Sequence, residues 1–414
     1  MPKFSKIMIL VTSVVLVLTV FLGVNAHGVS AATSDGDGAY PQMKVYSEVL
    51  RHIQTDYVQE PNIHTVTNGA LRGLLESLDA DSSYLTPEDY KTYKSDRGGK
   101  AQVGINISKR YGYATVVSVV PGSPADKANL NDGDLIEAIG GQDTREISLA
   151  MIHLLLEGQP GSTVTVSVVR PRKAIPEKVT MTRQIVTLPP VTETMYENST
   201  ILYLKPGVLD HDHVQQIEAK LKAMPKAGNK KVLLDLRDVA AGDMAEATRL
   251  ANFFVKSGTI ASLEGQKVEK QTFVADASKA INTTAPVVVL VNRGTAGPAE
   301  LTAAALLDNK RADLVGEKTF GEGSQQKTFE LPDGAALILS VAKYQSPSGK
   351  KLEDEGVTPG VLVASNIDDG GADDDDATTD TQPQAQPQPQ PKKPGITVDD
   401  QLTKALDLLK SKAA

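Results

Sequence analysis

Apolar residues recur three and four positions apart from Tyr40 to Asp96. In MKVYSEVLRHIQTDYV, Val45, Val49, Ile53 and Tyr57 share one face, and the spacing predicts a helix. In TVTNGALRGLLESLD the leucines 71, 74, 75 and 78 predict a second helix with those side chains turned inward. TPEDYKTYKSD opens with a threonine cap and a proline at the first helical position, which predicts a third. From Lys100 to Arg172 the period shortens to two. VGINIS, ATVVSVV and STVTVSVVRP alternate β-branched residues and read as strands. Between them PGSPADKANLNDGDLIEAIGGQ mixes a short helix, two turns and a strand, and SLAMIHLLLEG is an amphipathic helix stopped by Gly158. About seventy residues suffice for a complete small domain.

From Ile185 to Ser365 strands and helices alternate. STILYLKP, KKVLLDLR, APVVVLVN and RADLVGEK are short apolar strands. HDHVQQIEAKLKAM, MAEATRLANFFVKSG and PAELTAAALLDN are the helices between them. This alternation predicts a mixed sheet with crossover helices. Beyond Asn366 the acidic run DDGGADDDD passes into TQPQAQPQPQPKKP, which cannot bury a core and reads as a solvated spacer. TVDDQLTKALDLLKSK is then a last amphipathic helix, capped by Thr397 or Asp399, that either folds back or pairs with another subunit.

The pattern predicts an α/β multidomain chain. Its expected parts are a leader or anchor at 1–31, a helical region at 38–98, a small β-rich domain with two helices at 99–173, a mixed α/β domain at 174–365, a disordered linker at 366–396 and a helix at 397–414. Lys3 and Lys6 precede an apolar run from Ile7 to Val24, and small residues follow. This is the layout of an export signal cut after Ala26 or Ala31, or of a retained membrane anchor. Either places the remaining chain beyond the cytoplasmic membrane, in a periplasm, cell envelope or extracellular space.

Composition narrows the chemistry. A formal net charge of −8 argues against nucleic-acid binding. The absence of cysteine excludes disulfides, thiol nucleophiles and thiolate metal sites. His211 and His213 lie in LDHDH, but no H-E-x-x-H motif accompanies them, so no metal and no cofactor is expected.

Several segments, in order, resemble the carboxyl-terminal processing peptidases, the tail-specific serine peptidases of S41 type that carry a PDZ domain. GALRGLLESLDADSSYL is similar to that family's N-terminal signature. VGINIS and PGSPADKANLNDGDLIEAIGGQ resemble its PDZ domain. DLR at 235–237, PAELTAAALLDNKRADLVGEKTFGEGSQQ and YQSPSGKKLEDEGVTPG resemble its catalytic domain. The resemblance implies a serine nucleophile three residues before the glutamate matched by Glu300, a lysine base between two glycines, and a glutamine four residues later. Carried over singly, the serine position is Gly297, the lysine position is Glu322, and the glutamine is kept as Gln326. The family's paired oxyanion glycines fall on Ala241 and Gly242.

Glycine offers no side-chain oxygen, and loss of a nucleophile costs roughly a millionfold in kcat. The resemblance thus implies a catalytically inactive pseudopeptidase that binds protein C-termini, or docks to an active relative or to another copy of itself. The alternative is an active endopeptidase with a relocated nucleophile, Thr295 or Ser324, with Lys318 as a displaced base. Displacement by about 1 Å already costs a hundredfold. The family's PDZ groove is expected on Val103, Gly104 and Ile105 for the terminal carboxylate, with Ile152, Leu155 or Leu156 lining the side-chain pocket. Glu322 is a solvated loop carboxylate, the partner of an arginine such as Arg237 or Arg293, or a buried acid holding its proton.

Overall fold

The computed structural model describes residues 39–95, 101–110, 112–171, 175–365 and 398–413. The expected leader and the whole of the expected linker lie outside them. The chain divides into two units, Met1–Thr67 and Asn68–Ala414. In the first, helix α1 (Ala39–Asp56) carries Tyr40, Met43, Val45 and Val49 as exposed side chains. Helix α2 (Ile63–Glu76) begins in this unit and ends in the next. Among the described residues, no helix is long and apolar enough to cross a membrane.

The second unit opens on the rest of α2, strand β1 (Ser83–Leu85) and helix α3 (Pro87–Lys94). Thr86 caps α3 by accepting the Asp89 amide, with proline next. Of the four leucines expected to point inward, Leu75 is buried and Leu71 packs with Tyr84 and Ala335. Leu74 and Leu78 are instead 55% and 63% exposed, because the packed stripe is narrower than the apolar one.

The β-rich domain follows: β2 (Ile105–Arg110), β3 (Tyr113–Val119), α4 (Pro124–Lys127), β4 (Leu135–Ile139), β5 (Gln142–Asp143), α5 (Leu149–Leu156), β6 (Thr163–Val169) and β7 (Glu177–Thr182). Its antiparallel sheet runs β2-β3-β4-β6-β7, with β5 paired to β4. Alternation along β6 puts Val164, Val166 and Val168 in the core with Ile136, Ile152 and Leu156. β2 is the edge strand, and α5 packs beside it. Gly104, just before β2, has φ +82°, and a β-carbon there would stand 2.3 Å from Ser123 Cβ, so only glycine fits.

The remaining elements are β8 (Thr192–Tyr196), β9 (Ile201–Lys205), α6 (His211–Ala227), β10 (Lys231–Asp235), α7 (Met244–Phe254), β11 (Thr259–Glu264), β12 (Gln271–Val274), β13 (Val287–Val291), α8 (Pro298–Asp308), β14 (Asp313–Gly316), β15 (Ser324–Glu330), β16 (Ala336–Gln345), β17 (Val361–Leu362) and α9 (Asp400–Ser411). One sheet has the order β17-β14-β13-β10-β9-β8, parallel from β17 to β9. Its central strand, VVVLV, is buried on both faces, as a covered parallel strand should be. Val287, Val289 and Val291 face a core built with α6, α7 and α8. Val288 and Leu290 face the other side, where Ala405 and Leu409 of α9 close over them. A second sheet joins β1, β16, β11 and β12, with β15 on β16.

The last helix therefore folds onto its own sheet. Arg237 grips both Asp235 and Asp399, the cap of α9, and Tyr203 donates to Asp235 at 2.9 Å. Burial pushes the Asp235 carboxyl up, but the guanidinium outweighs it and holds the group below its ordinary value. At the other end, Lys231 Nζ donates to the carbonyls of Leu409 and Lys412, both at 2.6 Å.

Candidate functional site

Strand β13 ends at Val291, and a tight loop from Asn292 delivers the chain to α8. Gly297 occupies the cap of α8 with φ +52° and ψ −111°, a conformation that L side chains rarely adopt. The loop is stitched in place. Asn292 N donates to Thr295 Oγ1, Thr295 Oγ1 donates to the Leu236 carbonyl at 2.9 Å, and Ala296 N donates to the Val239 carbonyl at 3.0 Å.

Glu300, fully buried in the first turn of α8, joins this loop to the segment 319–322. Its carboxylate accepts the amides of Gly297 (3.0 Å), Gly321 (2.7 Å) and Glu322 (2.8 Å), and the Thr319 hydroxyl. Burial lifts its pKa to about 7, and those four donors restrain the rise.

Glu322 is thereby held opposite Gly297. A β-carbon built on Gly297 would stand 3.7 Å from Glu322 Cδ, 3.8 Å from the Ala240 carbonyl oxygen and 3.9 Å from Glu322 Oε1. The space is open, and acceptor atoms surround it. Glu322 is half-buried by surface area but hemmed in by protein on nearly every side. Burial first, and then the charges of Asp81, Glu300 and Glu353, push its pKa up to about 8. Glu353 accepts the Gly323 amide at 2.7 Å and is itself pushed up to about 7 by burial and by Asp81. Asp81 accepts the Ser324 hydroxyl, and burial raises it as well. The neutral acid thus dominates at Glu322 below about pH 8, the buried proton-holding alternative.

The arginine pairing expected for Glu322 does not form. Arg237 is committed to Asp235 and Asp399, and Arg293 reaches Asp132 at 2.6 Å. The loop after β10 also departs from an oxyanion hole. Ala241 gives its carbonyl to Leu209 N, and Gly242 lies against Leu209, whose oxygen would be 2.4 Å from an added β-carbon. The group that this loop turns toward Gly297 is the carbonyl of Ala240, an acceptor where a developing oxyanion needs donors.

The relocated candidates are occupied elsewhere. Thr295 is fully buried and bonded to backbone. Ser324 donates to Asp81, and Lys318 is exposed. His213 is buried: its ring contacts Asp210 Oδ1 at 2.7 Å and the Pro189 carbonyl at 2.9 Å. His211 meets Glu246 instead. Among the described residues, no cluster of potential metal ligands occurs.

The β-rich domain leans on this site. Arg110, at the end of β2, donates to the Phe320 carbonyl and stacks over the Phe320 ring at 4.0 Å. Between the two lies a cavity of about 420 Å³. Asn106, Ile107 and Ser108 of β2 and Leu149, Ala150, His153 and Glu157 of α5 and its end line one side. Asp81, Ala240, Glu322 and Gln326 line the other. The carbonyls of Val103 and Gly104 are taken by the amides of Ala125 and Val120, both at 2.9 Å. Val103, Ile105, Ile152 and Leu156 all belong to the domain core, and Leu155 lines a separate groove with Ile139 and Val164. The helix face open to the cavity is one turn away, at Leu149 and His153. His153, isolated in sequence, keeps surface toward this cavity, while the protein packed around it disfavours the imidazolium. Asp81, Ala240, Glu353 and His153 carried no individual sequence signal; Asp81 and Glu353 sit in segments quoted above only for their family resemblance.

Comparison with known proteins follows this division. Residues 200–363 match the model of peptidase family S41, and residues 101–180 match that of the PDZ domain. The chain is 34% identical to a carboxyl-terminal-processing protease of Picosynechococcus over 71% of its own length and 72% of the relative's. It is 31% identical to the chloroplastic carboxyl-terminal-processing peptidase 2 of Arabidopsis thaliana, over 75% of this chain and 63% of that relative. Among solved structures, the photosystem II D1 C-terminal processing protease superposes with a TM-score of 0.65 at 26% identity, covering 78% of this chain and 93% of the other.

Proposed function

Given that the chain belongs to the carboxyl-terminal processing protease family, peptidase family S41 joined to a PDZ domain, we propose that it is a pseudopeptidase that binds the C-terminal tails of proteins without cutting them. One observation carries the reading. The three atoms nearest to the missing side chain of Gly297 are the carboxyl carbon and an oxygen of Glu322 and the carbonyl oxygen of Ala240. No hydroxyl, no amine base and no oxyanion donor stands among them, so attack and charge stabilisation are lost together. A tail entering beside β2 would add as a strand on that free edge, with its carboxylate toward Val103, Gly104 and Ile105. Such a protein acts by holding tails, or by regulating an active relative or pairing with itself. The apolar run at residues 7–24 supports an exported location, as a cleaved or anchored protein.

One observation favours a second reading, an active peptidase. Ser324 gives its hydroxyl to Asp81, and a hydroxyl on a carboxylate resembles an activated nucleophile. Incubation with a peptide bearing an apolar free C-terminus separates the two. Binding without new termini supports the pseudopeptidase. Cleavage abolished by Ser324→Ala establishes the second reading instead.

A further inference from the structure

The geometry points to a cation subsite in the space left by the missing nucleophile: a lysine or arginine side chain of the bound tail enters beside Gly297 and is met by Glu322 and the Ala240 carbonyl. The inference rests on the tail-binding reading and specifies which tails are held.

Three observations converge. First, the space is present and its lining has one polarity. An added β-carbon at Gly297 would meet nothing closer than 3.7 Å, and its nearest neighbours are a carboxyl group and a carbonyl. Second, the Glu322 side chain has no salt bridge or hydrogen-bond donor among the described residues, although Glu300, Glu353 and Asp81 nearby each accept at least one donor. An ammonium or guanidinium placed there supplies the donor that this acceptor pair lacks, and its charge draws the proton off Glu322 to give a charge-assisted pair. Third, the site is reached from the peptide-binding edge. Glu322, Ala240 and Gln326 line the same cavity as Asn106, Ile107 and Ser108 of β2. A strand added to β2 therefore presents side chains to this floor. Glu157 and Asp81, on the cavity wall, reinforce the negative field. An apolar side chain would leave the acceptors unpaired, and an acidic one would add repulsion, so the cavity discriminates by charge.

The test uses the intact protein and a set of fluorescent decapeptides with a common apolar C-terminus and free carboxylate. A single lysine is walked through the upstream positions, and the reference peptide carries norleucine throughout. We expect one position, or two of like facing, to bind about tenfold more tightly than the reference, as one charge-assisted contact provides. The gain should disappear in Glu322→Gln, which keeps the size of the side chain, and become a loss in Glu322→Lys. Thermal melting of both variants verifies that they fold. A gain at no position, or a gain that survives Glu322→Gln, overturns the subsite while leaving tail binding intact. Failure of every peptide to bind, the reference included, overturns both.

Discussion

Arg237 holds both carboxylate oxygens of Asp399, at 3.0 and 2.8 Å, across 162 residues of chain. The arginine belongs to the loop after β10 that reaches the site, and the aspartate caps the final helix. Asp399→Ala removes a helix cap worth about 1 kcal/mol and an ion pair whose carboxylate is one-third exposed, worth up to about 1 kcal/mol more. The expected loss of about 2 kcal/mol is measured by denaturant unfolding. Limited proteolysis should show α9 released before the sheet opens.

Gly297 separates the cost of backbone strain from the cost of crowding. Its φ of +52° disfavours any side chain, yet the space beside it is empty. Gly297→Ala should cost about 1–3 kcal/mol through strain alone. Gly297→Ser should be similarly destabilised and, under the pseudopeptidase reading, show no hydrolytic activity, because Glu322 and the Ala240 carbonyl face its hydroxyl. Mass spectrometry of a tail peptide after long incubation checks the second point; new termini from the single variant would contradict it.

Three carboxyls set an unusual pH response. The folded pKa values of Glu322, at about 8, and of Glu300 and Glu353, at about 7, all lie above the ordinary glutamate value. Their protons are bound more tightly in the folded state, so their contribution is fully present below about pH 4.5 and is lost as pH rises through 7 to 8. Paired carboxyls such as Asp235, held below their ordinary value, contribute in the opposite sense at low pH. Stability should therefore peak on the acidic side of neutrality and decline toward pH 8.5. Glu322→Gln should flatten that decline. A Tm series from pH 5 to 9 reads the slope directly; an unchanged slope in the variant would remove Glu322 as its source.

Arg110 couples the two domains through one backbone carbonyl and one ring. Arg110→Ala takes the donor from the Phe320 carbonyl and the cation from above the ring. The PDZ fold should persist, since Arg110 is exposed at the end of β2 and outside the apolar core. Hydrogen exchange in residues 319–323 should accelerate, because that segment loses a brace on its outer side.

Periodicity made most of the architecture legible. APVVVLVN was readable as a short apolar strand of a mixed sheet, and the β-branched alternation of STVTVSVVRP as a strand. The family resemblance put Gly297 and Glu322 where a serine and a lysine are expected, because their spacing to Glu300 and Gln326 is kept. The electrostatics were not legible. Glu322 owes its raised pKa to burial and to Asp81, Glu300 and Glu353, two of them distant in the chain, and chain folding alone brings such groups together. The groove was legible only in part. The apolar spacing of LAMIHLLLE groups Ile152 and Leu156 on one face, and that face is the domain core. Which neighbouring face opens onto a cavity depends on where a second domain stands, so His153 drew no attention.

Under the proposed tail-holding function, the glycine at position 297 also changes the arithmetic by which this protein would act in a cell. A peptidase is reset after each cut, and a few copies process many tails. A chain that holds a tail and cannot sever it is used up by that tail until dissociation. Its influence then scales with the number of copies made, one for one against the ends it captures, and its half-time of action is the residence time of a single complex. Under the tail-holding reading, abundance and off-rate would take the places of kcat and KM.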